Sequence, residues 1–194
     1  MKTLKIAVLL FFTSAMLTFA QTNWAFDKAH SKIGFSVSHL VITDVEGNFK
    51  EFDASVTTDG DNWENAKIEF TAEIASIDTD NEKRDEHLRS DDFFNAEMYP
   101  QLKFVSKSFK KVDGNEYKLV GDLTIRDVTK EVELEVELNG TVVDPWGNTK
   151  AGFNLLGEIN RFDYNLKWSK AIETGGLVVG EDVEIIGKLQ LMKK

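Results

Sequence analysis

The chain has 194 residues, with 23 Lys and Arg against 33 Asp and Glu, for a formal net charge of −10. An acidic balance in which the basic residues are scattered argues against nucleic acid and anionic membrane surfaces as partners. Cysteine is absent, which excludes disulfides and thiolate-bound zinc and leaves burial and strand pairing to hold the fold.

In chain order, the first segment reads as a secretory signal peptide. Lys2 and Lys5 precede the apolar run from Ile6 to Phe12, and small residues end at Ala20. Thr13 and Ser14 interrupt that run, which falls short of the roughly 20 uninterrupted apolar residues of a spanning helix. No later segment comes closer, so no stable membrane insertion is expected. Cleavage near Ala20 would leave residues 21–194 as one domain, exported to the periplasm or beyond the cell.

Beyond the leader the dominant signal is period-two alternation, segment after segment, between turns rich in Gly, Asn and Asp. Ile33, Phe35, Val37, His39 and Val41 share one face of an early strand, and Phe49 to Val56 reads as the next. Ile68, Phe70, Ala72 and Ile74 face one way from a third, with Lys67, Glu69, Thr71 and Glu73 toward water. A helical insertion is predicted over Asp80 to Phe94, capped by Thr79 or Asp80. Further strands are predicted over Leu102 to Phe109, Tyr117 to Ile125, Glu131 to Leu138, Lys150 to Ile159 and Val183 to Leu191. Lys107 to Lys111 reads as a solvated strand edge. Pro100 and Pro145, the only prolines, both fall between strands, where a missing donor costs the ladder nothing.

About eight antiparallel strands with one dry face each can pair those faces as a two-sheet sandwich or by closing into a barrel, and closure is the expectation. A barrel of roughly eight strands can hold one small ligand. Ala72, Gly121, Ala151, Gly157 and Gly187 fall among large inward positions. They either leave room inside or mark bulges and barrel corners.

A series of short motifs carries a resemblance. It runs through Asp27-Lys28-Ala29-His30-Ser31, Phe35-Ser36-Val37-Ser38-His39-Leu40, Gly47-Asn48-Phe49 and Ala75-Ser76-Ile77-Asp78-Thr79. The block Arg84-Asp85-Glu86-His87-Leu88-Arg89-Ser90-Asp91-Asp92-Phe93-Phe94 follows, then Tyr99-Pro100 and Phe104. Gly121-Asp122-Leu123-Thr124-Ile125-Arg126-Asp127-Val128-Thr129-Lys130 and Asn160-Arg161-Phe162-Asp163-Tyr164 complete it. In order and spacing these resemble the YceI-like family of exported, lipocalin-like, polyisoprenoid-binding proteins. The chain departs from that pattern where Asn165 stands in place of a Gly, and Asp127 and Glu131 in place of a Gly and a Pro. Asn can still adopt a left-handed turn.

The resemblance implies a lipocalin-like antiparallel barrel with a helical insertion near its mouth and an elongated apolar cavity. It also implies that the chain binds, stores or transports an isoprenoid, an isoprenoid quinone or a fatty-chain compound rather than transforming it. The expected ligand contacts are Phe35, Val37, His39, Phe70, Phe93, Phe94, Leu102, Phe104, Leu123, Phe153, Leu155 and Trp168. Arg84, His87 and Arg161 are candidates for a polar rim, with ion pairs to loops as the competing reading for Arg84 and a buried carboxylate partner as the competing reading for Arg161. His39 reads either as a core histidine or as a contact to a head group.

No cofactor, metal or catalytic site is expected. His30 and His39 lie an odd nine residues apart, which puts them on opposite faces of an unbroken strand, and His87 is remote in sequence. Ser36 and Ser38 lack a local base, and Asp91-Asp92 lacks a sequence signal for a raised pKa. The rival reading is a ligand-free β-sandwich serving as an interaction or stress-response module. Pairing of two copies through an exposed edge, and a transient membrane-protein donor or acceptor of lipid, are both compatible with either reading.

Overall fold

The computed structural model describes residues 21–173 and 175–194; the expected leader over residues 1–20 lies outside them. The strands are β1 (Gln21–Phe26), β2 (Lys32–His39), β3 (Thr43–Phe49), β4 (Phe52–Asp59), β5 (Asn62–Glu73) and β6 (Ile77–Asp78). The one α-helix among the described residues, α1 (Glu82–Arg89), follows, then β7 (Gln101–Asp113), β8 (Glu116–Ile125), β9 (Val128–Val143), β10 (Thr149–Asn160) and β11 (Val179–Lys193).

All pairings are antiparallel, in the order β1-β4-β5-β7-β8-β9-β10-β11, and β1 pairs again with β11 to close an eight-strand barrel. One continuous sheet wraps the core, so the sandwich alternative falls. At the other end β2 replaces β1 as the partner of β11, through Ile33↔Gly187 to His39↔Val179. The row then continues as β2-β3-β6, so β2, β3 and β6 carry the β1-β4-β5 wall onward past three breaks in the chain. The expected strand from Phe49 to Val56 is one of these breaks: it bends at Lys50-Glu51 and divides between β3 and β4.

The first break is held by side chains. Ser31 Oγ accepts from Gln190 N–H at 2.9 Å, and Asp27 receives Gln190 Nε2 at 2.8 Å, Lys150 Nζ at 3.0 Å and His30 Nδ1 at 3.0 Å. The Asp27 to Ser31 motif is thus the staple that lets one edge of β11 change partners.

Two bulges set which residues face inward. Asn65 adopts φ 63°, and the β7–β8 register shifts between Ser106 and Ser108. The β4–β5 register gains three residues on β5 between Thr57↔Lys67 and Asp59↔Asn62, and β7 gains one, both odd numbers, so the inward set changes parity along β5 and along β7, bringing Trp63 and Phe109 inside. Near both bulges the β5–β7 ladder stops at Glu69↔Val105, which leaves Lys107 to Lys111 paired with β8 on one side only, a solvated edge as expected.

The small inward residues do not leave room. The Phe104 ring lies over Gly121 and a Leu134 methyl lies over Gly157, each where a Cβ would stand. These glycines admit a neighbour's side chain close to the wall.

The end of the barrel at β2–β3 is covered by two excursions, Thr79 to Pro100 and Arg161 to Val178. The helix starts later than predicted, because Asn81 is its cap and accepts from Arg84 N–H at 3.1 Å. Thr79 is buried and serves as an anchor for the helix. Val41 is not on the inward face: it sits in the β2–β3 turn and is 66 % exposed. Leu40 and Val41 have φ 55° and 63°, and Ile42 N–H donates to His39 C=O at 3.3 Å. Two positive φ values at the centre make this a type I′ turn, which Asn-Gly favours. Left-handed backbone costs L-residues other than Gly about 1–2 kcal/mol each, and a β-branched residue is a pronounced outlier there.

Two outcomes follow for the fold. Gly121→Ala forces the Phe104 ring and the Val105 carbonyl to move, so it should cost about 1–3 kcal/mol in urea unfolding, the range for overpacking. The Asp27 carboxyl is held from an ordinary 3.8 down to about 2, chiefly by its bond from His30 and then by Lys150 and Gln190, against the opposing effect of burial. A lowered native pKa adds stability that is complete above the ordinary value and is lost as pH falls toward the native one. Asp27→Asn should therefore lower Tm at pH 7, and its gap to the parent should close between about pH 4 and about pH 2.

Candidate functional site

The inward faces enclose a tunnel lined by residues from ten of the strands and from both excursions. Of the lining residues, all but Arg161 are apolar or glycine. The centre of a water-sized sphere can move through about 210 Å³ of it. By this measure a single water needs about 10–15 Å³, so the interior is hollow and not a filled core.

The end formed by the β4–β5 and β7–β8 turns is floored by aromatic rings. Trp24 and Trp63 lie 4.7 Å apart, Trp63 meets Phe153 edge-on at 4.8 Å, and Phe109 stacks on Tyr117 at 4.8 Å. All five are buried, and Trp24 Nε1 donates to Thr58 Oγ1 at 3.0 Å, so its polar handle is satisfied. At the opposite end Val37, Val183 and Ile159 form one row across β2, β11 and β10, line the tunnel, and stay partly exposed. This is the more open end, here termed the mouth.

The two excursions over the mouth are tied down by arginines that bind backbone carbonyls. Arg161 is buried and donates to the carbonyls of Gly180 (2.6 Å), Leu166 (2.5 Å), Trp168 (2.8 Å) and Val179 (3.1 Å). Desolvation lowers its pKa, with the field of Glu181 opposing. Arg126, in the β8–β9 turn, donates to the carbonyls of Asp91, Phe93 and Asn165 and to the Asp91 carboxylate at 3.0 Å. It thereby fastens one excursion to the other. Arg84 grips Thr79 through Oγ1 at 2.7 Å and the carbonyl at 2.6 Å, and the buried Asp85 carboxylate accepts from the same residue's N–H and hydroxyl. Tyr164, three residues after Arg161, is buried, and burial pushes its hydroxyl up to about 12.

A family model described as the YceI-like domain matches residues 24–191. The chain belongs to the YceI-like family. A UPF0312 protein of Staphylococcus aureus (strain MSSA476) is 40% identical over 164 residues, 84% of this chain and 93% of that protein. The crystal structure of the Campylobacter jejuni YCEI protein superposes with a TM-score of 0.71 at 37% identity, over 87% of this chain and 96% of that one. A polyisoprenoid binding domain from Saccharophagus degradans shares the fold, with a TM-score of 0.63 at 15% identity over 88% and 98% of the two chains.

Against this YceI-like frame the expected contacts divide. Phe35, Val37, Phe70, Phe93, Phe94, Leu102, Phe104, Leu123, Phe153 and Leu155 line the tunnel. His39 and Trp168 do not. His39 ends β2 opposite Thr43 and Val179. Trp168 packs at 5.6 Å on Phe93 and edge-on at 5.4 Å to His87, a cluster that joins the two excursions.

The rim residues also differ from expectation. Arg84 turns into its own loop, and His87 Nε2 meets Asp92 Oδ2 at 2.9 Å outside the tunnel. Arg161 does line the tunnel, but its donors go to carbonyls and not to a carboxylate. Arg126 lies within the Gly121 to Lys130 motif, and its task arises only in three dimensions, where the two excursions meet. Among the described residues no three of His, Asp and Glu converge as a metal site would require.

Arg161 gives a clear test of its role. Replacing it by Met leaves four carbonyls without their donor, that of Leu166 buried and the other three partly buried, so Arg161→Met should lose about 3 kcal/mol of stability, since each orphaned buried group costs about 1–3. Arg161→Lys should recover little of this, because an ammonium cannot reproduce the planar fork. Urea denaturation measures both; a pair of stable variants that merely bind lipid poorly would instead return Arg161 to the rim reading.

Proposed function

We propose that the protein binds a long apolar lipid chain in its tunnel, and that it acts outside the cytoplasm after loss of the leader. The observation that carries this reading is the hollow interior itself, walled by apolar residues along its whole length. Each methylene buried there contributes about 0.8 kcal/mol, so affinity grows with chain length and needs few polar contacts. The polyisoprenoid binding named for the Saccharophagus degradans domain and the family membership support the ligand class. A lining in which, among the described residues, the one ionic group is a guanidinium committed to carbonyls suits holding a hydrocarbon better than reacting with it. Storage and carriage between membranes are both served by such a site, with the lipid shielded from water during transit.

Native mass spectrometry of gently purified protein should show a co-purified apolar compound, and delipidated protein should take up added linear prenyl lipids in preference to short ones. Leu155→Trp narrows the tunnel midway, opposite Val136 and Gly187. It should remove room for about two methylenes and weaken the longest ligand roughly tenfold at unchanged Tm. Protein that arrives without lipid and also refuses added prenyl and fatty chains would end the carrier reading.

A further inference from the structure

The β2–β3 turn combines three properties that its position in the fold does not require. Its two central residues are Leu40 and Val41, held in the left-handed backbone of a type I′ turn where Asn-Gly would be unstrained. Its apolar side chains point outward, with Val41 66 % and Ile42 83 % exposed. And it stands at the mouth: Leu40 N–H donates to Val178 C=O at 2.9 Å, and a Val41 methyl packs over Gly176. The neighbouring Val179, opposite His39, and Val37 line the tunnel, so an apolar surface runs from the tunnel wall to the turn. Strain retained together with exposed hydrophobic residues marks a contact surface, because a polar, glycine-containing turn would serve folding better.

We propose that Leu40, Val41 and Ile42 form a docking lip that inserts into the surface of a lipid bilayer, so that a lipid passes between membrane and tunnel without crossing water. This deepens the lipid-binding reading and rests on it. The flanking charges select the kind of surface. Asp44 and Glu46 follow the turn, and Glu181 and Asp182 bulge from β11 beside β2, so the lip fits a zwitterionic bilayer and is repelled by an anionic one. Exposed apolar side chains supply the attraction, and the acidic collar keeps it brief.

The test uses the full mature chain and the double variant Leu40→Asn/Val41→Gly, with Ile42→Ser as a second, independent variant. Flotation with phosphatidylcholine vesicles reads docking. Uptake of a polyprenol from those vesicles, and separately from detergent solution, reads loading. The double variant should melt at a higher temperature than the parent, because its turn is relaxed, and should load from detergent as the parent does. It should float and load from vesicles at least about tenfold less well, since burying one Val or Ile side chain is worth about that factor. Ile42→Ser should show the same loss without the gain in Tm. A parent that does not float with phosphatidylcholine, or that floats only with anionic vesicles or only through added protein, overturns the lip, as does a double variant that extracts lipid as fast as the parent. Failure of both proteins to load from detergent would instead sink the lipid-binding reading, while flotation would still report on the lip.

Discussion

An antiparallel sheet in which every strand has one dry face must hide that face, and this chain hides it by joining β1 to β11 through Trp24↔Lys193 to Phe26↔Leu191. Closure removes two of the sheet's edges and forces the apolar faces to look at one another across the axis. Whether the space between them is filled then depends on side-chain size alone. Rings from β1, β5, β10 and the β7–β8 hairpin fill one end. Toward the other end the inward Val, Ile, Leu and Phe leave a cavity between them. The tunnel is therefore a consequence of where the large aromatic residues were placed along the axis.

A barrel with one hollow end needs something over it, and loops without regular hydrogen bonding must satisfy their backbone carbonyls in another way. The chain does this with guanidinium groups. Arg161 takes four carbonyls, two in the excursion after β10 and two at the start of β11, and Arg126 takes three and a carboxylate from the excursions. A planar fork with five donors suits this task better than any other side chain. The charged residues of the family motifs thus act as architecture around the mouth, which explains why they sit near the tunnel and yet offer the ligand little.

The alternation of Glu131 to Leu138 made β9 legible, and the one-sided dryness of the other segments made the barrel legible. Eight of the inward residues follow from the same parity rule, and Phe93 and Phe94 from the helical block. What the rule missed has physical causes. Trp63 and Phe109 enter the tunnel because bulges at Asn65 and at Ser106–Ser108 shift parity, and an extra residue in a strand leaves no mark in composition. Strand β1 is short and polar at every other position outside the barrel, without enough repeats to announce itself. Of the two readings left open for the small residues, Gly121 fits the bulge, pairing with Ser106 where the β7–β8 register shifts, and both it and Gly157 admit a neighbour's side chain at the wall. Asn165, where the family pattern has Gly, adopts φ 62° and closes the Arg161 to Tyr164 turn, so that departure leaves the backbone unchanged.

The hollow also bears on stability. Apolar walls that do not touch forfeit the dispersion contacts of a close-packed core, and unfilled apolar volume in a folded chain is destabilising. Water does not repair the loss, because an apolar cavity gives it no partners. A hydrocarbon chain does, and by mass action whatever binds only the folded barrel raises its stability with ligand concentration. The aromatic floor, the Asp27 staple and the arginine clamps supply rigidity that does not depend on the occupant. The walls can then stay apart at the mouth, where the occupant has to enter, without the barrel collapsing on itself.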